Sequence, residues 1–276
     1  MSAADVLLHL LDASRAETAG FGFPGTADVV VPLVFASVGA VVASRQRRNA
    51  VGWIFLATAF SWVLATAAQQ YAIRAVLVRP GTLPGGLAAA WLGSWGFLPI
   101  VPLLGIFLPL PFPNGAAPSS RWRIFARVIG VVAVVAIVVD AIPPATLAVT
   151  SSGQLANSRV VSDHPQDLLG ILAQFLQVVL LACSVAAVIG MIRRYRRSAD
   201  ELRQQLKWFL FAGSIVVVTL FGTAFSGSPG SPANEVASAL FVVAALGLPA
   251  ATGVAILKYR LYDIDVVISR TLVYGA

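Results

Sequence analysis

The chain has 276 residues, of which 58% are hydrophobic and only 11% are charged, and its formal net charge is +7. A soluble domain has roughly 45–50% apolar and 25% charged residues, so this composition excludes an ordinary soluble globular protein. The single cysteine, Cys183, lies in an apolar run, which excludes an intrachain disulfide and a cysteine-ligated metal site.

The apolar residues are concentrated in seven runs that approach or exceed the ~20 residues needed to cross a bilayer as a helix. They predict an all-α, polytopic transmembrane helical bundle of about seven spanning helices. The predicted spans are Ala27–Ser44, Val51–Ile73, Leu87–Leu108, Val128–Ile142, Leu168–Ile192, Trp208–Ser226 and Val236–Leu257.

Prolines modify three of these spans. Pro99 and Pro102 predict a kink in the third, because proline removes a helical hydrogen bond and its ring clashes with the preceding turn. Pro143 ends the fourth, which is therefore short. Pro249 predicts a bend in the seventh.

The basic residues divide unevenly between the two sides of such a bundle. Of the 19 Lys and Arg residues, 15 fall on the side that holds the chain's last segment and 4 on the other. The larger group is Arg45, Arg47, Arg48, Arg121, Arg123, Arg127, Arg193, Arg194, Arg196, Arg197, Arg203, Lys207, Lys258, Arg260 and Arg270; the smaller is Arg15, Arg74, Arg79 and Arg159. Cytoplasmic loops carry the excess of Lys and Arg, so the N-terminus is predicted outside and the C-terminus inside.

This orientation divides the chain into an extracytoplasmic segment, 1–26, a seven-helix transmembrane bundle, 27–257, and a cytoplasmic juxtamembrane segment, 258–276. The basic residues then form a collar beside anionic lipid, each contributing about 1 kcal/mol of attraction. We therefore expect the lipid bilayer as a partner and no nucleic acid.

The longest basic loop has a helix-start signal. Ser198 and Glu201 have the spacing of a capping box, which predicts a helix from Ala199 that runs unbroken through Lys207 into the sixth span.

Several polar residues lie in the outer half of the predicted bundle. Asp140 is the only acid identified well inside a span, and an intramembrane acid is a functional candidate because it is costly in lipid. One interpretation is an outer ligand pocket; the other is interhelical hydrogen bonding worth about 0.6 kcal/mol per residue. The candidate ligand-binding residues are Gln69, Trp91, Trp95, Asp140, Gln174 and Gln177.

The last segment, Lys258–Gly275, comes directly after the seventh span. Its apolar residues Leu261, Ile264 and Ile268 recur at helical spacing, which predicts an amphipathic helix at the inner interface that passes movement onward. The β-branched run Val266, Val267, Ile268 and Thr271 leaves a strand as the alternative. The expected signal-output residues are Arg260, Tyr262, Asp263, Asp265 and Arg270.

Three stretches in order resemble the membrane-embedded N-terminal sensor region of actinobacterial-type sensor histidine kinases. The first is Phe112-Pro113-Asn114-Gly115 followed by Arg121-Trp122-Arg123; the second is the basic loop from Arg193 to Trp208; the third is the exit segment from Tyr259 to Gly275. The resemblance covers about residues 45–276, and Asn114 departs from the acid usual in the family.

The resemblance implies a plasma-membrane sensory input module of two-component signalling, with a second copy of the chain, a cytoplasmic kinase region or a response regulator as partners. The chain itself is not expected to be an enzyme and needs no cofactor. Both histidines, His9 and His164, fall outside by the charge rule, and neither lysine, Lys207 or Lys258, is placed mid-membrane for a retinal Schiff base. The expected alternative is a free-standing membrane protein or a small-molecule transporter, although no internal repeat typical of transporters is seen.

The predicted orientation can be checked by cysteine labelling. In a cysteine-free background, a membrane-impermeant thiol reagent applied outside should modify a cysteine placed at Ser158 and spare one at Ser198. The reverse pattern would overturn the orientation.

Overall fold

A computed structural model of the chain describes residues 27–78, 83–113, 115, 119–142, 147–149, 155–157, 168–198, 200–225 and 231–274. For the two strands and for residues 257–274 it describes the course of the backbone alone. The predicted N-terminal segment, 1–26, lies outside the described residues.

Seven main helices account for most of the described chain. They are α1 (Ala27–Arg45), α2 (Ala50–Ile73), α3 (Gly86–Trp95), α4 (Ser120–Ala141), α5 (Leu168–Arg197), α6 (Asp200–Phe225) and α7 (Pro232–Tyr274). A π-helical turn, Arg74–Val78, continues α2, and the third span continues past α3 as a short turn, Ile100–Pro102, and a second π-helical turn, Leu103–Phe107.

Six stretches of the described chain are long and apolar enough to cross a membrane: Ala27–Arg45, Ala50–Val76, Gly86–Phe107, Ser120–Ala141, Leu168–Arg197 and Pro232–Ile256. The remaining main helix, α6, begins with charged residues and is mainly apolar after Lys207. The predicted polytopic helical bundle is confirmed. The predicted break in the third span is confirmed as well, because Pro99 and Pro102 separate α3 from the π-helical turn that continues the span.

The fourth and fifth spans are longer than predicted at their basic ends. α4 begins at Ser120 rather than Val128, and α5 continues to Arg197 rather than stopping at Ile192. Arginine has good helix propensity and can extend its charge toward water. The helical backbone therefore continues past the residue at which hydropathy predicts the end of the span. α6 is described from Asp200 and runs unbroken into the sixth span as predicted, while the predicted start at Ala199 lies outside the described residues.

A two-stranded antiparallel hairpin connects α4 to α5 and was not predicted from the sequence. Strand β1 (Leu147–Val149) pairs with β2 (Leu155–Asn157), with Ala148 opposite Ala156. Strand β2 lies against α3 and touches α2. The hairpin therefore covers the end of the bundle at which α2 and α4 finish.

The larger core cluster joins α1, α2, α6 and α7, with Met191 added from α5. Phe35 of α1 meets Phe55 of α2 edge-to-face, with ring centroids 5.3 Å apart. The two helices pack closely because a Cβ on Gly39 would lie 3.0 Å from the carbonyl oxygen of Gly52. Small residues allow such close helix packing in membranes, where the burial of apolar surface contributes little to the association of helices because lipid tails are also apolar.

A second, smaller core cluster joins α4, α5 and the π-helical turn Leu103–Phe107. Its buried residues include Ile106 from the turn, Ile129 from α4 and Leu180 from α5. Apart from these contacts the α4–α5 pair has few neighbours, and many of its apolar side chains are exposed. The pair therefore lies at the side of the bundle.

The two clusters meet at the loop after the third span, here called the proline loop (residues 109–113 with Gly115). Phe112 is 1% exposed, and its ring stacks on Phe209 of α6 with centroids 4.5 Å apart. The guanidinium of Arg194, near the end of α5, donates to the carbonyl oxygens of Phe112, at 3.1 Å, and of Pro109. The loop is thus held by α5 and α6 together.

Asn49 holds the other side of the proline loop. Its Nδ2 donates to the carbonyl oxygen of Pro113 at 3.2 Å, while its Oδ1 accepts from the backbone N–H of Val51 at 3.0 Å and so caps α2. Gly115 is required beside it for two reasons: its φ is +78°, and a Cβ there would lie 2.6 Å from the Cα of Asn49. We call the bundle end that holds Asn49, the proline loop and the α5–α6 turn the basic end.

Replacing Gly115 should therefore destabilise the bundle. Gly115→Ala places a side chain in a left-handed conformation against a buried backbone, and we expect a loss of about 1–3 kcal/mol. The midpoint of thermal unfolding in detergent measures the change. Gly213→Ala is the matched control, because a Cβ on Gly213 meets nothing within 4 Å. Equal melting of the two variants would contradict the role of Gly115.

Candidate functional site

The end of the α4–α5 pair that is predicted to face outside contains a buried carboxylate. Asp140 is 6% exposed and lies one residue before the end of α4. Within the described part of the chain, it accepts a hydrogen bond from Nε2 of Gln177 on α5, at 3.4 Å to Oδ2. This distance exceeds the usual 2.7–3.2 Å range, and a negative charge near a helix C-terminus is opposed by the helix dipole. The long hydrogen bond from Gln177 therefore offsets little of the free-energy cost of burying this carboxylate.

Two tryptophans of α3 lie beside this end of α4. The Nε1–H of Trp91 donates to the carbonyl oxygen of Ala141 at 2.7 Å, which caps the last turn of α4. The ring of Trp91 meets that of Trp95 edge-to-face, with centroids 5.4 Å apart. Four of the six predicted residues, Trp91, Trp95, Asp140 and Gln177, therefore occupy neighbouring positions on α3, α4 and α5.

We call these four residues (Trp91, Trp95, Asp140 and Gln177) the outer polar cluster, and the indole of Trp95 adds a buried donor to it. The Nε1 of Trp95 is buried and has no hydrogen-bond acceptor among the residues that the structure describes. Leaving such a donor unsatisfied costs about 1–3 kcal/mol. A ligand or water molecule that accepts from this N–H would recover that cost.

The structure places the other two predicted residues apart from the outer polar cluster. Gln69 is buried on α2 against Gly93, where an added Cβ would lie 2.8 Å from its Cγ. Gly93 lies about 160° around the helix from Trp91 by the 100° step per residue, so Gln69 contacts a different face of α3. Gln174 is exposed on α5.

A second buried acid was missed by the sequence interpretation, which identified Asp140 as the one acid well inside a span. Asp28 is 8% exposed in the first turn of α1, and Nε1 of Trp62 lies 3.4 Å from its Oδ1. The helix dipole favours a carboxylate at this position. In the sequence, Asp28 stands at the start of an apolar run, and this position could have identified it as a residue of a helix's first turn. The same position indicates a structural role for Asp28.

The predicted signal-output residues lie on the last part of α7. The backbone at Arg260, Tyr262, Asp263, Asp265 and Arg270 is helical, because α7 continues to Tyr274. The helical form of the segment is therefore confirmed over Lys258–Tyr274, and the strand alternative is wrong. The side chains of these residues lie outside the described part of the structure.

The described residues contain no group of three or more His, Cys, Asp or Glu positioned to hold a metal ion. The outer polar cluster instead offers one carboxylate, one amide and two indoles. Ligand binding by these groups stays a prediction, and among the four there is no nucleophile paired with a base.

The fold and composition define the class of this protein as a multi-pass helical membrane protein. No protein-family model, curated protein or solved structure matches the chain.

The Asp140–Gln177 contact can be tested by a double-mutant cycle. Because the hydrogen bond is long, Asp140→Leu and Gln177→Leu should couple by about 0.6 kcal/mol or less in unfolding free energy. Gln174→Leu, one turn away and exposed, should not couple with Asp140→Leu. A coupling well above 1 kcal/mol would show instead that the pair is a principal fastening between α4 and α5.

Proposed function

We propose that this chain is the membrane-embedded sensory input module of a two-component signalling system in the plasma membrane. In this role it passes an envelope or membrane signal to a cytoplasmic histidine kinase region. The observation that carries the proposal is the length of α7, which forms one helix of 43 residues from Pro232 to Tyr274.

At about 1.5 Å per residue, a helix of this length extends about 65 Å, roughly twice the hydrocarbon thickness of a bilayer. Its span, Pro232–Ile256, uses 25 residues. The 18 residues from Leu257 to Tyr274 therefore project about 27 Å further as a helix. Because a helix is stiff over this distance, rotation or tilt of the span is transmitted to a domain attached at its end.

A continuous set of contacts supports the outer polar cluster as the receiving site. Gln177 and Arg194 lie on the same helix, α5, at its outer and basic ends. Arg194 holds the proline loop, and Phe112 of that loop stacks on Phe209 of α6. α6 packs along α7 more extensively than along any other helix of the described bundle. A shift of α5 would therefore move the partner of the output helix.

The resemblance of residues 259–275 to the family's exit segment is consistent with this assignment. A helix that continues 18 residues beyond its span is suited to passing movement onward, and the sequence shows no internal repeat typical of transporters. These observations favour the sensor over the alternative.

The proposal is tested by changing the phase of the output helix. The chain is fused through Ala276 to a histidine kinase region of the family, and one to four alanines are inserted after Arg260. Each added residue rotates the attached kinase region by about 100°, so two insertions, at about 200°, should change autophosphorylation most. Four insertions, at about 400°, should return it toward the starting level.

A four-residue Gly-Ser insertion at the same point is the matched control. It keeps the added length but lowers the helix propensity, so it should not restore activity as four alanines do. Kinase activity that is indifferent to both the number and the type of inserted residues would overturn the proposal, because the segment would then be a passive tether.

A further inference from the structure

The basic end of the α4–α5 interface is closed by a tryptophan packed on a glycine. A Cβ on Gly190 of α5 would lie 2.7 Å from both Cζ2 and Cη2 of Trp122, so the indole lies directly against the backbone of α5. Phe125 supports the indole edge-to-face, with centroids 5.4 Å apart. The first turn of α4 and the last turns of α5 are therefore fixed next to each other.

Four exposed arginines surround this contact. Arg193 and Arg197 come three and seven residues after Gly190 and share its face of α5. Arg121 and Arg123 leave α4 on opposite sides of Trp122, so one of them lies on the same side of the interface as Arg193.

The four guanidinium groups have no counter-charge within the described structure. None of them forms an ion pair with a residue that the structure describes, and the hydrogen bond seen in the group joins Nη2 of Arg123 to Oγ of Ser120 at 2.9 Å. Exposed guanidinium groups that lack a counter-charge favour an anionic partner.

Apolar side chains continue from the arginines along both helices. On α4, Ile124 and Val128 come after Arg121 at the spacing of one helix face, and both are exposed. On α5, Ile189 and Val185 precede Arg193 at intervals of four and are also exposed. A charged patch at the interface that continues into an apolar face matches a molecule with an anionic head and an acyl tail.

We propose that the basic end of the α4–α5 interface, formed by Arg121, Arg123, Arg193 and Arg197 around Trp122, binds the phosphate headgroup of an anionic phospholipid. The acyl chains lie along the exposed apolar residues of α4 and α5. Basic sites between transmembrane helices on the cytoplasmic side are suited to such headgroups, and the charge distribution of the sequence places this end on that side. The inference does not depend on the signalling role.

The test compares three double variants that each remove two positive charges. Arg193→Gln with Arg197→Gln, and Arg121→Gln with Arg123→Gln, change the proposed site. Arg47→Gln with Arg48→Gln removes two exposed charges from the α1–α2 turn and is the matched control. Native mass spectrometry of the purified full chain measures the binding of dioleoylphosphatidylglycerol and of zwitterionic dioleoylphosphatidylcholine.

The unmodified chain should retain one phosphatidylglycerol in preference to phosphatidylcholine. Each variant of the site should weaken that binding by about tenfold and the control by less than about twofold. Equal losses in site and control variants would overturn the proposal, because only the general charge of the basic end would then matter. A chain with no preference for phosphatidylglycerol, or one whose lipid is displaced by excess inorganic phosphate, would overturn it too.

Folding of the variants is checked by thermal unfolding in micelles that contain phosphatidylcholine alone. A second measurement does not depend on the arginine variants. Brominated phosphatidylglycerol should quench the tryptophan fluorescence of the unmodified chain more than brominated phosphatidylcholine does, and Trp122→Phe should remove this excess. An excess that survives Trp122→Phe would place the lipid elsewhere and overturn the proposal.

Discussion

The arrangement of this bundle depends on how the proline loop satisfies its backbone. Pro109, Pro111 and Pro113 supply no N–H group and cannot continue a helix, so the carbonyl groups around them lack regular partners. Buried carbonyl groups need donors, because losing their hydration without replacement is costly. Arg194 and Asn49 supply those donors from two different parts of the bundle. The proline loop lacks regular backbone hydrogen bonds of its own, so it is held by side chains from α5 and from the start of α2 and connects these elements.

This dependence explains how the peripheral α4–α5 pair is tied to the rest of the molecule. The pair shares its own small core with one π-helical turn, and it contributes only Met191 of α5 to the buried residues of the larger core. Arg194 crosses between the two, since it belongs to α5 and bonds to a loop whose Phe112 lies in the larger core. Arginine suits this position because its planar fork reaches two carbonyl groups at once, whereas a lysine ammonium acts as a single point charge.

Hydropathy was sufficient to predict the helical class and the approximate spans, because the cost of exposing the backbone in lipid leaves few alternatives. It failed at the ends of α4 and α5, where charged residues continue a helix that hydropathy no longer detects. The role of Arg194 could not be distinguished from that of its exposed neighbours, since it depends on carbonyl groups 82 and 85 residues away. For the same reason Gln69 and Gln177, both polar residues in spans, were grouped together although they contact different helices.

The distance in sequence between the proline loop and Arg194 also has a consequence for synthesis on the ribosome. Pro109 emerges 85 residues before the arginine that bonds to it. At about 5–20 residues per second, the loop exists for roughly 4–17 s before its partner is made. During that interval Asn49 is already present to bond to Pro113, but the carbonyl groups of Pro109 and Phe112 still lack the donor that Arg194 supplies. Because that donor belongs to α5, the hydrogen bonds that complete the end of the third span can form only after the fifth helix is made.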